Sequence, residues 1–231
     1  MGKMIEFART TGAKASGWLA EASDPKAPGV VVVQEWWGLV PQIKRVCDRL
    51  ADEGFVALAP DLFHGEICAH DEMDKAGHLM STLPIDRAAD DMGGAVSYLL
   101  QHDAVRGDAV GVVGFCMGGM LALVLAAQEG DRVRAVAPWY GAPLGDDGPD
   151  WSGLTAAVRG HFAENDDFFS PEPVKQLEAT LQGMGKDCEF RIHPGTGHAF
   201  GNEENALGTY DPTAEAAAWS DTVAFLHSAL G

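Results

Sequence analysis

Positive charge is scarce in this chain. Its 231 residues hold 16 lysines and arginines against 34 aspartates and glutamates, a formal net charge of -18. No basic patch is available to neutralise phosphates, so nucleic acid and anionic membrane surfaces are not expected partners. An anionic small molecule would need a local positive feature to overcome the same background. Long apolar runs are missing too. No stretch is long enough to span a bilayer, and the opening MGKMIEF lacks the apolar region of a secretory signal; a soluble, cytoplasmic protein is expected. Cysteine is sparse, and Cys47, Cys68, Cys116 and Cys188 show no paired spacing, which points to free thiols rather than a disulfide framework. Neither a G-x-G-x-x-G nor a Walker loop is present, so no nucleotide cofactor is implied. His64, His70 and His78, with Cys68 and Asp71, fit no zinc spacing, and no metal is expected. No repeat or linker interrupts the chain, whose length suits one α/β domain over residues 1–231. A monomer is the simplest assembly, with a dimer left open.

What is present is organised around residues 110–120, VGVVGFCMGGM. The β-branched run 110–113 reads as a buried strand and the segment from 119 to 127 as an apolar helix. Between them a nucleophilic side chain, Cys116, is flanked two positions away on each side by glycine. This is the pattern of a nucleophile elbow, with cysteine where serine is usual. The rest of the chain alternates in the same way. Short strands over 3–8 and 15–20 open it, and the run VVVVQ at 30–34 reads as a central strand covered on both faces. Strands are expected over 55–59, 133–137, 156–163 and 188–193, and helices over 40–53, 85–101, 171–184 and 213–230. Residues 62–83 read as a loop or short helix, and 144–153 as an acidic loop. The expected architecture is a mostly parallel central sheet with helices on both faces, an α/β-hydrolase fold.

Ligands of such sheets bind beyond the carboxyl ends of the strands. The segments there offer Glu35, Cys116, Tyr140, Asp166 and His198. Cys116, Asp166 and His198 stand in the chain order nucleophile, acid, histidine that the α/β-hydrolase fold uses. His198, in the Gly-rich loop PGTGHAF, would serve as general base and then general acid, and Asp166 would orient its ring. The adjacent Asp167 is an open alternative. Glu35 follows the valine strand and precedes Trp36 and Trp37, so partial desolvation should raise its pKa. It would either hold the thiol protonated or take its proton. Backbone N–H groups of Met117 and Trp36 would form the oxyanion hole. Trp36, Trp37, Phe63, Tyr140 and Phe200 adjoin these segments and are candidate pocket walls.

QEWWG at 34–38, APDLFHG at 59–65, GFCMGG at 114–119, WYG at 139–141, AENDDFF at 163–169 and GTGHAF at 195–200 together resemble the dienelactone hydrolases, or carboxymethylenebutenolidases. The resemblance spans nearly the whole chain. It implies a cysteine hydrolase that opens a small-molecule lactone or ester through a thioester, with Cys116 as nucleophile, His198 as base, Asp166 as its partner and Glu35 as the buried glutamate. Members that act on dienelactone bind its carboxylate with two arginines. Here no arginine lies between Arg49 and Arg87, and the second position is Asn202, which becomes a candidate substrate contact. Lys75, His70 and His78 are the available cationic substitutes. A carboxylesterase of different or broad specificity, or a thiol sensor without turnover, are the alternatives.

Overall fold

The computed structural model describes residues 1–145 and 148–231. Strands β1 (Lys3–Ala8) and β2 (Lys14–Ala20) form an antiparallel hairpin at one sheet edge. There follow β3 (Ala27–Val33), α1 (Pro41–Asp52), β4 (Val56–Pro60), α2 (Met73–Ser81), α3 (Ile85–Gln101), β5 (Val105–Phe115) and α4 (Met117–Glu129). The chain continues through β6 (Val133–Trp139), β7 (Ala157–Asn165), α5 (Pro171–Gly183), β8 (Cys188–Gly197) and α6 (Pro212–Leu230). The eight strands lie in the order β1-β2-β4-β3-β5-β6-β7-β8. β2 meets β4 antiparallel, and every later pair is parallel.

The period-two geometry of a strand divides the core in two. Val31 and Val33 of β3 face one apolar layer with residues of α3, α4 and α5, whereas Val30 and Val32 face the other with residues of α1 and α6. Every residue of β3 and β4 is buried, which is why their sequences are continuous apolar runs rather than alternating ones. Each such valine contributes about 1.5–3 kcal/mol of gross burial energy. The stiff centre of the sheet is therefore also the platform that carries the site.

Several bounds differ from the pattern-based expectation. β5 starts at Val105 because exposed Arg106, Gly107 and Asp108 extend it beyond the helix-covered sheet, where polarity hides the strand. β8 runs through Pro194 and Gly195 to Gly197, which pairs with Asn165 after a register shift. α4 starts at Met117, directly after the turn. Residues 62–83 contain α2, and the loop over 144–153 holds one 3₁₀ turn at Trp151–Gly153, its positions 146 and 147 lying outside the described residues. Among the described residues no helix is long and apolar enough to cross a membrane.

Candidate active site

Cys116 occupies the turn between β5 and α4 with φ 53° and ψ -119°. A non-glycine residue in that region stores about 1–3 kcal/mol of strain, and the neighbouring backbone enforces it. A Cβ on Gly114 would run into the carbonyl oxygen of Gly118, and a Cβ on Gly118 into that of Val33. Gly118→Ala should accordingly cost about 1–3 kcal/mol by overpacking, read as a lower midpoint of urea denaturation. An unchanged midpoint would show that the turn is not as tight as these contacts require.

His198 follows β8 and is buried. Its Nδ1 lies 2.8 Å from Asp166 Oδ2 and its Nε2 lies 3.2 Å from Cys116 Sγ. The other carboxylate oxygen of Asp166 accepts from the N–H groups of Phe168 and Phe169 at 2.8 and 2.9 Å. That turn fixes the aspartate and leaves Oδ2 for the histidine. Burial pushes Asp166 up, but the His198 hydrogen bond and charge, with the two N–H donors, outweigh it and hold the carboxyl below its ordinary range. An ionised Asp166 only accepts, so His198 Nδ1 carries the proton and Nε2 presents its lone pair to the thiol. Asp167 is exposed, and the imidazole partner is Asp166.

Burial and then the Glu35 charge push the Cys116 thiol well above its usual pKa, against a smaller opposing effect of the Met117 N–H. The resting sulfur is therefore a thiol. Glu35 is 1% exposed. Its oxygens accept from Tyr140 Oη at 3.2 Å and Asn202 Nδ2 at 2.8 Å. Desolvation nevertheless dominates and raises its pKa, against the His198 charge and these two hydrogen bonds.

Cys116 and His198 open onto a cavity of about 140 Å³ walled by Trp36, Met80, Met117, Met120, Phe168 and Phe169. Met117 also opens α4, so its N–H is one of the amides left unpaired at a helix start. Of the residues expected as walls or contacts, Trp36 lines the cavity and the other five lie elsewhere. Trp37 is buried behind Trp36, with the rings edge-on at 5.0 Å. Phe63 joins the core on the α3 side, and Phe200 stacks on Trp139. Tyr140 and Asn202 are buried and turned onto Glu35 rather than into the cavity. Adjacency in sequence to a site segment places these side chains in the packing beneath it. The walls that sequence reasoning missed are Met80, Met120, Phe168 and Phe169. Met120 lies four residues after Cys116, the helical spacing that returns to the same face, and the two phenylalanines follow the turn-forming aspartate. Met80 comes from the irregular segment and left no signal.

Of the candidate cations, His78 is exposed on α2 and lies outside the cavity lining, and the neighbouring His64 Nε2 bonds to buried Asp91 at 2.7 Å. His70 Nε2 lies 3.4 Å from Glu204, and Lys75 Nζ donates to the carbonyl of Ile67 at 2.8 Å.

The sequence profile described as the dienelactone hydrolase family matches residues 15–230. The protein named "Protein usf" of Aquifex pyrophilus is 35% identical over the whole of both chains. A protein of Aquifex aeolicus named "Putative carboxymethylenebutenolidase" is 34% identical, again over the whole of both. Among solved structures, the dienelactone hydrolase-like promiscuous phosphotriesterase P91 from metagenomic libraries is 26% identical. It superposes with a TM-score of 0.83, covering 100% of this chain and 99% of that one.

Proposed function

We propose that this chain, which belongs to the dienelactone hydrolase family and is a hydrolase of lactone or ester bonds, works through Cys116, His198 and Asp166 by way of a thioester. The observation that carries the reading is the continuous hydrogen-bond chain from Asp166 through His198 to the Cys116 sulfur, at 2.8 and 3.2 Å. In the proposed cycle His198 Nε2 takes the thiol proton as sulfur attacks the carbonyl carbon. The N–H groups of Met117 and Trp36 receive the developing oxyanion. The C–O bond then breaks, and the departing oxygen takes the proton back from His198. For a lactone the leaving oxygen stays attached through the opened ring. Water, activated by the same imidazole, attacks the thioester and frees the carboxylate and the thiol. Glu35 acts on the resting state, where its charge keeps the sulfur protonated and so guards it from oxidation.

The test is hydrolysis of dienelactone and of a neutral aryl ester, followed with the native chain and with Cys116→Ala. Turnover should vanish in the variant, and rapid acid quenching of the native reaction should trap one acyl group on the Cys116 peptide in mass spectrometry. Undiminished turnover by Cys116→Ala would refute the mechanism. Stoichiometric labelling without turnover would favour a thiol sensor.

A further inference from the structure

The cavity beside Cys116 offers a carboxylate nothing to bind. Among the described residues its lining contains neither lysine nor arginine, and its polar side chains are Cys116 and His198 themselves. His78 is exposed on α2 and lies outside the cavity lining, and the other candidate cations are committed elsewhere. His70 faces the Glu204 carboxylate, Lys75 is held on the Ile67 carbonyl, and Arg45 donates to Glu203 and Glu204 at 2.6 and 2.5 Å. Asn202 is buried and spends its amide on Glu35. The buried Glu35 carboxylate and the formal charge of -18 add repulsion. A carboxylate entering this space would lose its water and gain no partner, a penalty that an uncharged group escapes.

The same walls suit an apolar group. About 140 Å³ is close to the roughly 150 Å³ of an apolar cavity that takes up a benzene ring. Three of the six walls are methionines, which adapt to irregular shapes. The apolar surface continues outward: Met80 and Phe168 are 37% and 58% exposed, so the way in passes over hydrophobic side chains. We propose that the site selects uncharged lactones or esters bearing a compact apolar group, about the size of a six-membered ring, and discriminates against substrates that carry a carboxylate near the scissile bond. Met120, one helical turn beyond Cys116, and Phe168, at the mouth, set this preference. The proposal rests on the Cys116 chemistry above.

Dienelactone and its methyl ester form a matched pair, identical in the ring and differing in charge. Ring opening of each is followed by loss of the conjugated lactone's ultraviolet absorbance, at 0.05 and 0.5 M NaCl. The methyl ester should show a kcat/KM at least about 100-fold higher at both salt concentrations. Equal rates, or a preference for the free acid, would overturn the proposal. So would a preference that disappears at 0.5 M salt, because the net charge of the protein and not the cavity would then be its source. Met120→Arg should raise the free acid's kcat/KM relative to the methyl ester by at least about tenfold, with Met120→Leu as the volume control. No change in that ratio would remove Met120 from the proposal. A binding measurement keeps the two readings apart. Pentanamide should protect Cys116 of the native chain from iodoacetamide, and succinamate at the same concentration should not. If neither lactone is opened, lactone opening fails as the reaction while this protection still decides the cavity's preference, and equal protection by the two amides would overturn it.

Discussion

His198→Ala is expected to lower kcat/KM by at least about 10⁴-fold, with Asp166→Asn close behind. The reason is geometric. His198 Nε2 is the acceptor 3.2 Å from Cys116 Sγ, and the sulfur is a thiol held well above its usual pKa by burial and by Glu35. Without the imidazole the sulfur loses the base hydrogen-bonded to it and is left as a thiol of raised pKa. Asp166→Asn leaves the ring in place but offers it an amide that can donate, so the tautomer with its proton on Nε2 becomes available and the wrong face meets the thiol. The two losses should not add in the double variant, because both residues serve one proton transfer. Stability should respond differently. His198→Ala removes a ring packed at 4.8 and 5.7 Å from Phe168 and Phe169, whereas Asp166→Asn keeps the Phe168 and Phe169 N–H bonds on its remaining oxygen. Steady-state kinetics alongside thermal denaturation separates the two effects. A His198→Ala enzyme within tenfold of the native rate would rule out the imidazole as base.

The parts of this architecture that were legible in the sequence are those where local chemistry and global position agree. A short run such as VVVV, β-branched throughout, favours a strand buried on both faces, and β3 is one. G-x-C-x-G between a β-branched run and an apolar helix admits few backbone paths, and Cys116 indeed adopts a positive φ there. The chain order of nucleophile, acid and histidine placed the remaining polar residues at strand ends. What stayed illegible depends on which way a side chain turns after its strand. Tyr140 sits at φ 37°, so its ring swings inward to Glu35, and nothing in WYG announces that. Asn202 reaches the same carboxylate through the turn after His198, as a partner of Glu35 where the resemblance had suggested a substrate contact. The cavity walls that were missed are contributed by α2, by the end of the first turn of α4 and by the 166–169 turn. They converge only in three dimensions, and Met80 in particular comes from a segment with neither strand nor strong helix periodicity. Asp166 and Asp167 could be distinguished only once the Phe168 and Phe169 amides had chosen one of them.

Glu35→Gln should change two observables in directions fixed by its burial. Burial raises the Glu35 pKa in the folded chain, whereas in the unfolded chain it titrates near the ordinary glutamate value of about 4.3. Between those two values the folded state holds a proton that the unfolded state has already released, so stability falls as pH rises through the window. Glutamine carries no charge to desolvate. Its oxygen can accept from Asn202 Nδ2 while its amide donates to Tyr140 Oη, so the hydrogen bonds survive. The difference in melting temperature, variant minus native, should therefore become more positive from pH 4 towards pH 8.5, and a difference that stays flat or declines would contradict the burial argument. The second observable is the sulfur. Once ionised, Glu35 is the charge that most raises the Cys116 pKa, after burial itself. Removing it should shift the pH profile of Cys116 alkylation by iodoacetamide to lower pH, at a position where selectivity is favourable because Cys47, Cys68 and Cys188 are all buried. The variant would then react faster than the native protein at a given pH in the rising part of the profile. A profile that moves the other way would mean that Glu35 draws the proton off the thiol rather than holding it there, and the carboxylate would have to be reassigned as the base of the first step.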